Sequence, residues 1–277
     1  MNGDEKDMFD NNIKTEPIPE RVFELCKLVS KSDIEDSILR EKMEPKGLNS
    51  SSTSYYPSIR EVCVQELKLI EKDNDKLKFV GDKKVLKNYK TFRLYCNSIV
   101  FKNQDTYFFK IVKSFLESND KWLKYKTLTD VNIRREIQEK EDISLVSEQM
   151  MLGSRFWVSF LGFGYIQEGT AMFFLPNMHI ALQDFCVMSD LEKNKEYSVK
   201  EFVEKIYPYA SVALQNAIDT KELNLAMSNA LRQMHDEKEI VLKKNLDSKE
   251  KWRLFCDNTH EFTDEITHIV YKGVRRS

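Results

Sequence analysis

One pattern recurs three times in this 277-residue chain: an amphipathic helical periodicity is followed at once by two short apolar runs that flank a polar turn. The three junctions read EVCVQELKLIEKDNDKLKFV, VSFLGFGYIQEGTAMFFLP and ALRQMHDEKEIVLKKNLDSKEKWRLF. A three-to-four-residue apolar period that changes into short strand-like runs predicts a helix and then a β-hairpin. We therefore predict that residues 57–69, 143–161 and 221–235 are helices, each followed directly by a hairpin.

Further helices precede each junction. In the first case, the segment ERVFELCKLVSK has one apolar face, and Ser32 with Glu35 is typical of a capping box that starts a second helix. The order is thus helix, helix, polar turn, helix and hairpin. The chain has only 8 Gly and 6 Pro residues, which argues against folds that need many glycine-rich turns. The junctions lie about 95 and about 75 residues apart, so the chain is not a strict solenoid repeat.

This order resembles the winged-helix superfamily, in which a three-helix helix-turn-helix core is closed by a β-hairpin called the wing. The resemblance is one of pattern and indicates no narrower family. It implies a mainly α protein of the α+β class, built from tandem winged-helix-like units at residues 20–100, 101–177 and 178–277. Residues 1–19 lack periodicity and are mostly acidic, so we expect a disordered tail there.

Charge and cysteine content restrict the function. Lys and Arg number 43 and Asp and Glu number 45, so any nucleic-acid binding must depend on local basic patches. The five cysteines form no CxxC pair, which is typical of reduced thiols in a cytoplasmic protein and not of a disulfide framework or a zinc site. The acidic N-terminus does not resemble a signal peptide, and no apolar run approaches the roughly 18–20 residues of a membrane span. We expect a cytoplasmic protein with no membrane partner.

Signatures of catalysis are missing from the sequence. It contains no GxxxxGK[ST], GxGxxG, HExxH or GxSxG motif, and the four histidines are scattered. We therefore expect no enzymatic activity, no cofactor and no metal site.

The winged-helix resemblance implies where duplex DNA would bind. The third helix of such a unit enters the major groove, and the wing touches the backbone. In the first unit the matching positions are Ser54, Tyr55, Tyr56, Ser58 and Arg60 at the helix, with Lys72, Lys76 and Lys78 on the wing. Residues 68–90 carry eight lysines against four acids, which is the most basic stretch of the chain.

The third unit offers a second candidate DNA surface. Asn and Arg side chains can make bidentate contacts with bases. The candidate residues are Asn224, Ser228, Asn229 and Arg232 on the helix, with Lys243 and Lys244 on the wing.

The corresponding helix of the second unit is apolar nearly all round, with Phe156, Trp157 and Phe160 close together. Such a helix is buried between units or against a partner. The leading expectation is a non-enzymatic double-stranded DNA-binding protein, either a regulator or the DNA-recognition subunit of a DNA-processing or defence complex. The alternative is a protein–protein adaptor or scaffold built from the same units, with the apolar second unit as its docking surface.

Overall fold

The computed structural model describes residues 9, 13–47, 53–100, 105–121, 130–167 and 173–274. Within these residues long helices alternate with short strands, so the architecture is mixed α+β, as the sequence predicts at that level. No helix in this part of the chain combines the length and the apolar character needed to traverse a bilayer.

The first unit contains three helices and a small sheet. Its elements are α1 (Pro19–Val29), β1 (Ile34–Glu35), α2 (Asp36–Met43), α3 (Tyr56–Glu61), β2 (Ile70–Asp73) and β3 (Lys76–Phe79). Helix α3 continues into a π-helical turn, Val62–Glu66, and the hairpin β2–β3 follows, so the first predicted junction is confirmed. The antiparallel sheet has the order β1-β3-β2, with Leu77 opposite both Ile34 and Lys72.

The predicted capping box at Ser32 and Glu35 is wrong. Ile34 and Glu35 form strand β1 instead, and α2 begins at Asp36 without a side-chain cap. Pairing with β3 explains the difference, because the Asp36 amide donates to the Asp75 carbonyl oxygen at 2.8 Å. A backbone that pairs with a strand distant in sequence no longer needs a local cap.

A short 3₁₀ turn, Lys83–Leu86, leads from the first unit into α4 (Tyr89–Val100). The ring of Phe92 on α4 lies 5.2 Å from that of Phe23 and 5.7 Å from that of Phe160. Helix α4 therefore packs the first unit against the second.

The second unit repeats the helix-to-hairpin junction. Its elements are α5 (Tyr107–Glu117), α6 (Asp130–Glu141), α7 (Glu148–Leu161), β4 (Gly164–Gln167) and β5 (Phe173–Pro176). Helix α7 starts later than predicted, where the Ser147 hydroxyl accepts a bond from the Met150 amide, and it ends at Gly162 with a φ of 87°. A Cβ at Gly162 would lie 2.6 Å from the Ala181 amide nitrogen, so only glycine fits this position. The tip of this hairpin, residues 168–172, lies outside the described residues.

The third unit has the same order of elements as the first. They are α8 (His179–Met188), β6 (Glu196–Ser198), α9 (Val199–Thr220), α10 (Leu225–Asp236), β7 (Ile240–Lys243), β8 (Trp252–Arg253), β9 (Glu265–Ile266) and β10 (His268–Tyr271). The predicted capping box of Ser198 and Glu201 is present at the start of α9. The sheet order β6-β10-β7 corresponds strand for strand to β1-β3-β2.

The hairpin predicted directly after α10 is wrong in its pairing. Strand β7 pairs with β10, 25 residues further along, with Val241 opposite Val270. Strand β8, which was expected to pair with β7, pairs with β9 instead. Residues 244–267 therefore form an insertion between the two wing strands. The local turn signal at KNLDSKEK could not reveal a partner strand so distant in sequence.

The prediction of a disordered tail is also wrong for the described part of residues 1–19. Phe9 is buried between the rings of Phe108 and Trp157, at centroid distances of 5.2 and 5.1 Å. The Trp157 indole nitrogen donates to the Pro17 carbonyl oxygen at 2.9 Å, and Ile13 is buried. This segment has no periodicity because it docks as an extended chain on the second unit.

Candidate interaction surfaces

The N-terminus of α3, where a winged-helix unit would approach DNA, is occupied by a carboxylate of the same chain. Glu44, just after α2, accepts bonds from the amides of Tyr55 and Tyr56 and, at 2.7 Å, from the Ser54 hydroxyl. Burial alone would raise the pKa of Glu44, but these hydrogen bonds and Arg40 lower it below its ordinary value. Since a helix N-terminus binds one anion at its free amides, Glu44 competes with a phosphate at this point.

A second carboxylate, Asp36, neutralises the predicted base-reading arginine. The Arg60 guanidinium lies 2.5 Å from Asp36 Oδ2, and Lys72 Nζ lies 3.5 Å from the same oxygen. The Tyr56 hydroxyl donates to Asp36, and Tyr56 itself is buried. Burial would raise the pKa of Asp36, yet Tyr56, Arg60 and Lys72 together lower it. Direct DNA contact by Tyr56 is therefore wrong for this conformation, because its side chain is committed to the core.

An open cleft of about 1390 Å³ lies between α2, α3 and the turn of the β2–β3 hairpin. Six carboxylates and four cationic side chains line it, so its charge is not suited to a polyanion. The carboxylates are Glu35, Asp36, Glu41, Glu44, Asp73 and Asp75, and the cations are Arg40, Lys46, Arg60 and Lys76.

The outer face of the β2–β3 hairpin has no excess of charge. Lys78 lies directly opposite Glu71, and Lys76 lies directly opposite Asp73. Opposite residues of an antiparallel pair share a face, so each lysine has an acid as its cross-strand neighbour. Ser58, also a predicted contact, is half-buried, whereas Tyr55 is exposed under the Arg21 guanidinium.

In the third unit, the predicted contacts Ser228 and Arg232 are buried, so their assignment to a DNA surface is wrong. The Ser228 hydroxyl donates to the Leu223 carbonyl oxygen and accepts from the Phe255 amide. The Arg232 guanidinium donates to three carbonyl oxygens of the insertion at 2.7 to 2.9 Å: those of Phe255, Phe262 and Thr263. Both side chains fix the insertion to α10.

The other predicted residues of the third unit are partly exposed. Asn224 caps α10 by accepting from the Met227 amide, and Asn229 is half-buried. Lys243 pairs with Glu196 at 2.5 Å, and Lys244 pairs with Glu265 at 3.1 Å and with Asp264 at 3.5 Å. The two wing lysines are thus already matched by acids of the same unit.

The second unit carries an apolar patch on its surface, which we define as Tyr89, Phe156, Phe160, Tyr165 and Leu175. Tyr165 and Leu175 are opposite one another on the β4–β5 hairpin and are 48% and 42% exposed. A shallow pocket of about 270 Å³ connects the hairpin to the last turns of α7, with Phe156, Phe160, Arg155 and Glu20 in its lining. The opposite face of α7 is buried under the N-terminal segment.

Two groups of side chains come together that sequence reasoning missed. Asp184 on α8 accepts bonds from Arg93 at 2.6 and 3.1 Å and from Asn97 at 3.0 Å, which ties α4 to the third unit. His179, Glu237 and Glu239 place one ligand atom each within 4.8 Å of the others. The partners in each group are far apart in sequence, so no spacing signal existed to find them.

Comparison of the chain with protein-family models, with curated proteins and with solved structures finds no match in any of the three. The surfaces described above are therefore the basis for a functional assignment.

Proposed function

We propose that this protein is a non-enzymatic adaptor that binds another protein through the apolar patch, on a scaffold of three winged-helix-like units. The scaffold part of the proposal is supported by the repeated order helix, strand, helix, helix, strand, strand in the first and third units. In both sheets the last strand lies between the other two. The second unit has three helices followed by a hairpin, although part of the loop between α5 and α6 lies outside the described residues.

The observation that carries the adaptor proposal is the composition of the apolar patch. Aromatic and arginine side chains are enriched at protein interfaces, and exposed apolar clusters with a polar rim typically mark docking sites. Here three aromatic side chains of the second unit, Phe156, Phe160 and Tyr165, meet on one surface beside Arg155 and Glu20. Tyr89 extends this surface, because its ring lies 6.2 Å from that of Phe160.

The electrostatics of the first unit also favour a protein over DNA. Glu44 fills the N-terminus of α3 and Asp36 pairs with Arg60, so the two groups best placed for phosphate or base contacts are satisfied internally. A DNA complex at this face would have to break both interactions and bring a polyanion against a cleft with more acids than bases.

The adaptor proposal is tested with two matched double variants as baits in affinity purification from the protein's own cells. In the first, Phe156→Asp and Tyr165→Asp place charges in the patch; in the second, Lys76→Glu and Lys78→Glu reverse charge on the exposed wing. We expect a partner that copurifies with the wild type and the wing variant in constant stoichiometry and is lost with the patch variant. Circular dichroism and thermal unfolding verify that both variants are folded. Retention of every stoichiometric partner by the folded patch variant contradicts the proposal.

Binding of duplex DNA is a second candidate, supported by the exposure of Lys76 and Lys78. Neither lysine forms an ion pair with another described residue, and the exposed Lys83, Lys84 and Lys87 follow soon after. If about three phosphates are neutralised, the slope of log affinity against log salt should be roughly −3, and K76A/K78A should reduce its magnitude by about one to two. Absence of binding to duplex DNA at low salt rules this candidate out and leaves the adaptor proposal intact.

A further inference from the structure

The junction between α8 and the turn after α10 contains three side chains whose chemistry suits a transition-metal ion. His179 is in the first turn of α8, and Glu237 and Glu239 flank Lys238 between α10 and β7. Their ligand atoms, one imidazole nitrogen and two carboxylate oxygens, all lie within 4.8 Å of one another. We propose that His179, Glu237 and Glu239 form a zinc site.

The state of His179 is the independent observation that points to a ligand. Its Nε2 atom is buried and forms no hydrogen bond with a described residue, although it lies 3.3 Å from Glu237 Oε2. A buried polar atom without a hydrogen bond is costly, and coordination of a cation removes that cost. The 3.3 Å separation is close to the roughly 3.4 Å edge of a tetrahedron whose metal–ligand bonds are about 2.1 Å.

Each carboxylate of the cluster is already oriented by a glutamine. Gln233 Nε2 donates to Glu237 Oε1 at 3.0 Å, which leaves Oε2 toward His179. Gln183 Nε2 donates to Glu239 Oε2 at 2.8 Å, and Glu239 is only 1% exposed. Amide partners that hold the ligating carboxylates in place are the usual outer shell of a metal site.

The backbone brings the two glutamates to the same point. Lys238 adopts a φ of 61°, and the Glu239 amide donates to the Met234 carbonyl oxygen at 2.9 Å, so the chain turns sharply between α10 and β7. Glu237 is 39% exposed, which gives an ion a path into the site and leaves room for water as a fourth ligand. The donor set of one nitrogen and two oxygens suits zinc better than magnesium or calcium, which prefer oxygen ligands alone.

A bound zinc ion would link the first helix of the third unit to the turn that starts its wing. The proposed ion therefore has a structural role, and its binding should stabilise the third unit. This role is independent of the adaptor proposal, because none of its residues belongs to the apolar patch.

The site is tested by isothermal titration of the full-length chain with zinc chloride after treatment with a chelator. Every protein carries Cys256→Ser, because the exposed Cys256 thiol binds zinc by itself. The variants are H179Q, E239Q and, as a milder change at a half-exposed position, E237Q; H268Q is the matched control at a histidine outside the cluster. We expect one zinc per chain, a higher melting temperature with zinc, and no comparable effect of magnesium.

Loss of a ligating residue should weaken zinc binding by more than the roughly 10- to 100-fold seen for outer-shell partners, whereas H268Q should leave it unchanged. If H179Q or E239Q fails to fold, E237Q decides the outcome. The proposal is overturned if the wild type binds no zinc at micromolar concentration. It is equally overturned if folded cluster variants bind zinc as tightly as the H268Q control.

Discussion

At the scale of single residues, the main finding is that carboxylates of the same chain occupy the positions where DNA contacts were predicted. Glu44 caps α3 and Asp36 pairs with Arg60. Both carboxyl groups have a lowered pKa, because the hydrogen bonds and cations around them outweigh the effect of burial. These interactions exist to stabilise α2 against α3, and they make the same groups unavailable to a ligand.

Glu44→Gln should reduce the free energy of unfolding at pH 7 by about 0.5 to 2 kcal/mol, the range for loss of a helix cap. A carboxyl whose pKa is lowered on folding stabilises the protein above its unfolded pKa and ceases to do so as the pH falls through its folded pKa. The stability difference between wild type and E44Q should therefore disappear below about pH 4. Urea unfolding between pH 3 and 7 measures it, with the exposed Glu139→Gln as control. A difference that is independent of pH contradicts this account of Glu44.

Arg232→Met should destabilise the protein by about 3 kcal/mol, because three carbonyl oxygens of the insertion lose a charged donor. Arg232→Lys should not restore the stability, since a lysine lacks the planar fork that reaches several acceptors. Urea unfolding followed by circular dichroism gives both values. If R232M is as stable as the wild type, the insertion is fixed to α10 by other contacts.

At the scale of elements, two segments differ from their local signals for the same reason. Strand β7 pairs with β10 across the insertion, and the N-terminal segment docks on α7 without forming a helix or strand of its own. In both cases the partner lies far away in the chain. Local periodicity therefore has no information about the contact, and turn residues within the insertion mimic a hairpin.

Phe9→Ala should lower the free energy of unfolding by about 3 kcal/mol, the lower end of the range for truncating a buried phenylalanine. The reason is the loss of contact with Phe108 and Trp157. Leu246→Ala is the control, because Leu246 is 83% exposed and should change stability by less than about 0.5 kcal/mol. Thermal and urea unfolding of the two variants give the comparison. Equal effects of the two substitutions show that the N-terminal segment adds no stability.

At the scale of the whole molecule, a buried ion pair fixes the third unit to α4. Asp184 is 1% exposed and receives bonds from Arg93 and Asn97. Burial raises the pKa of Asp184, although Arg93 and Asn97 oppose that shift. The carboxylate is therefore costly to bury and depends on its partners.

Either Arg93→Met or Asp184→Asn alone should destabilise the protein by about 3–5 kcal/mol, because each leaves a buried charge without its partner. The double variant R93M/D184N should lose clearly less than the sum of the two. A double-mutant cycle in urea measures this coupling, with the exposed pair Lys195 and Glu192 as a reference expected to couple by less than about 1 kcal/mol. Strict additivity of the two substitutions contradicts a direct interaction between these side chains.

The amino-acid sequence by itself determined the local elements: the amphipathic helices, the capping box at Ser198, the end of α7 at Gly162 and the hairpin after α3. These features depend on side-chain periodicity and on backbone preferences within a few residues, so they can be read without a structure. The apolar character of α7 was likewise evident, because it depends on composition alone.

Only the tertiary structure decided the pairing of β7 with β10, the docking of Phe9, and the ionic state of the predicted contact surfaces. Lysine and arginine counts along the chain predicted basic wings, but each charge is defined by the neighbours that folding brings to it. Asp36 lies 24 residues from Arg60, and Glu196 lies 47 residues from Lys243. Charge neutralisation and metal-ligand clusters arise from such distant pairs, and for that physical reason sequence spacing could not reveal them.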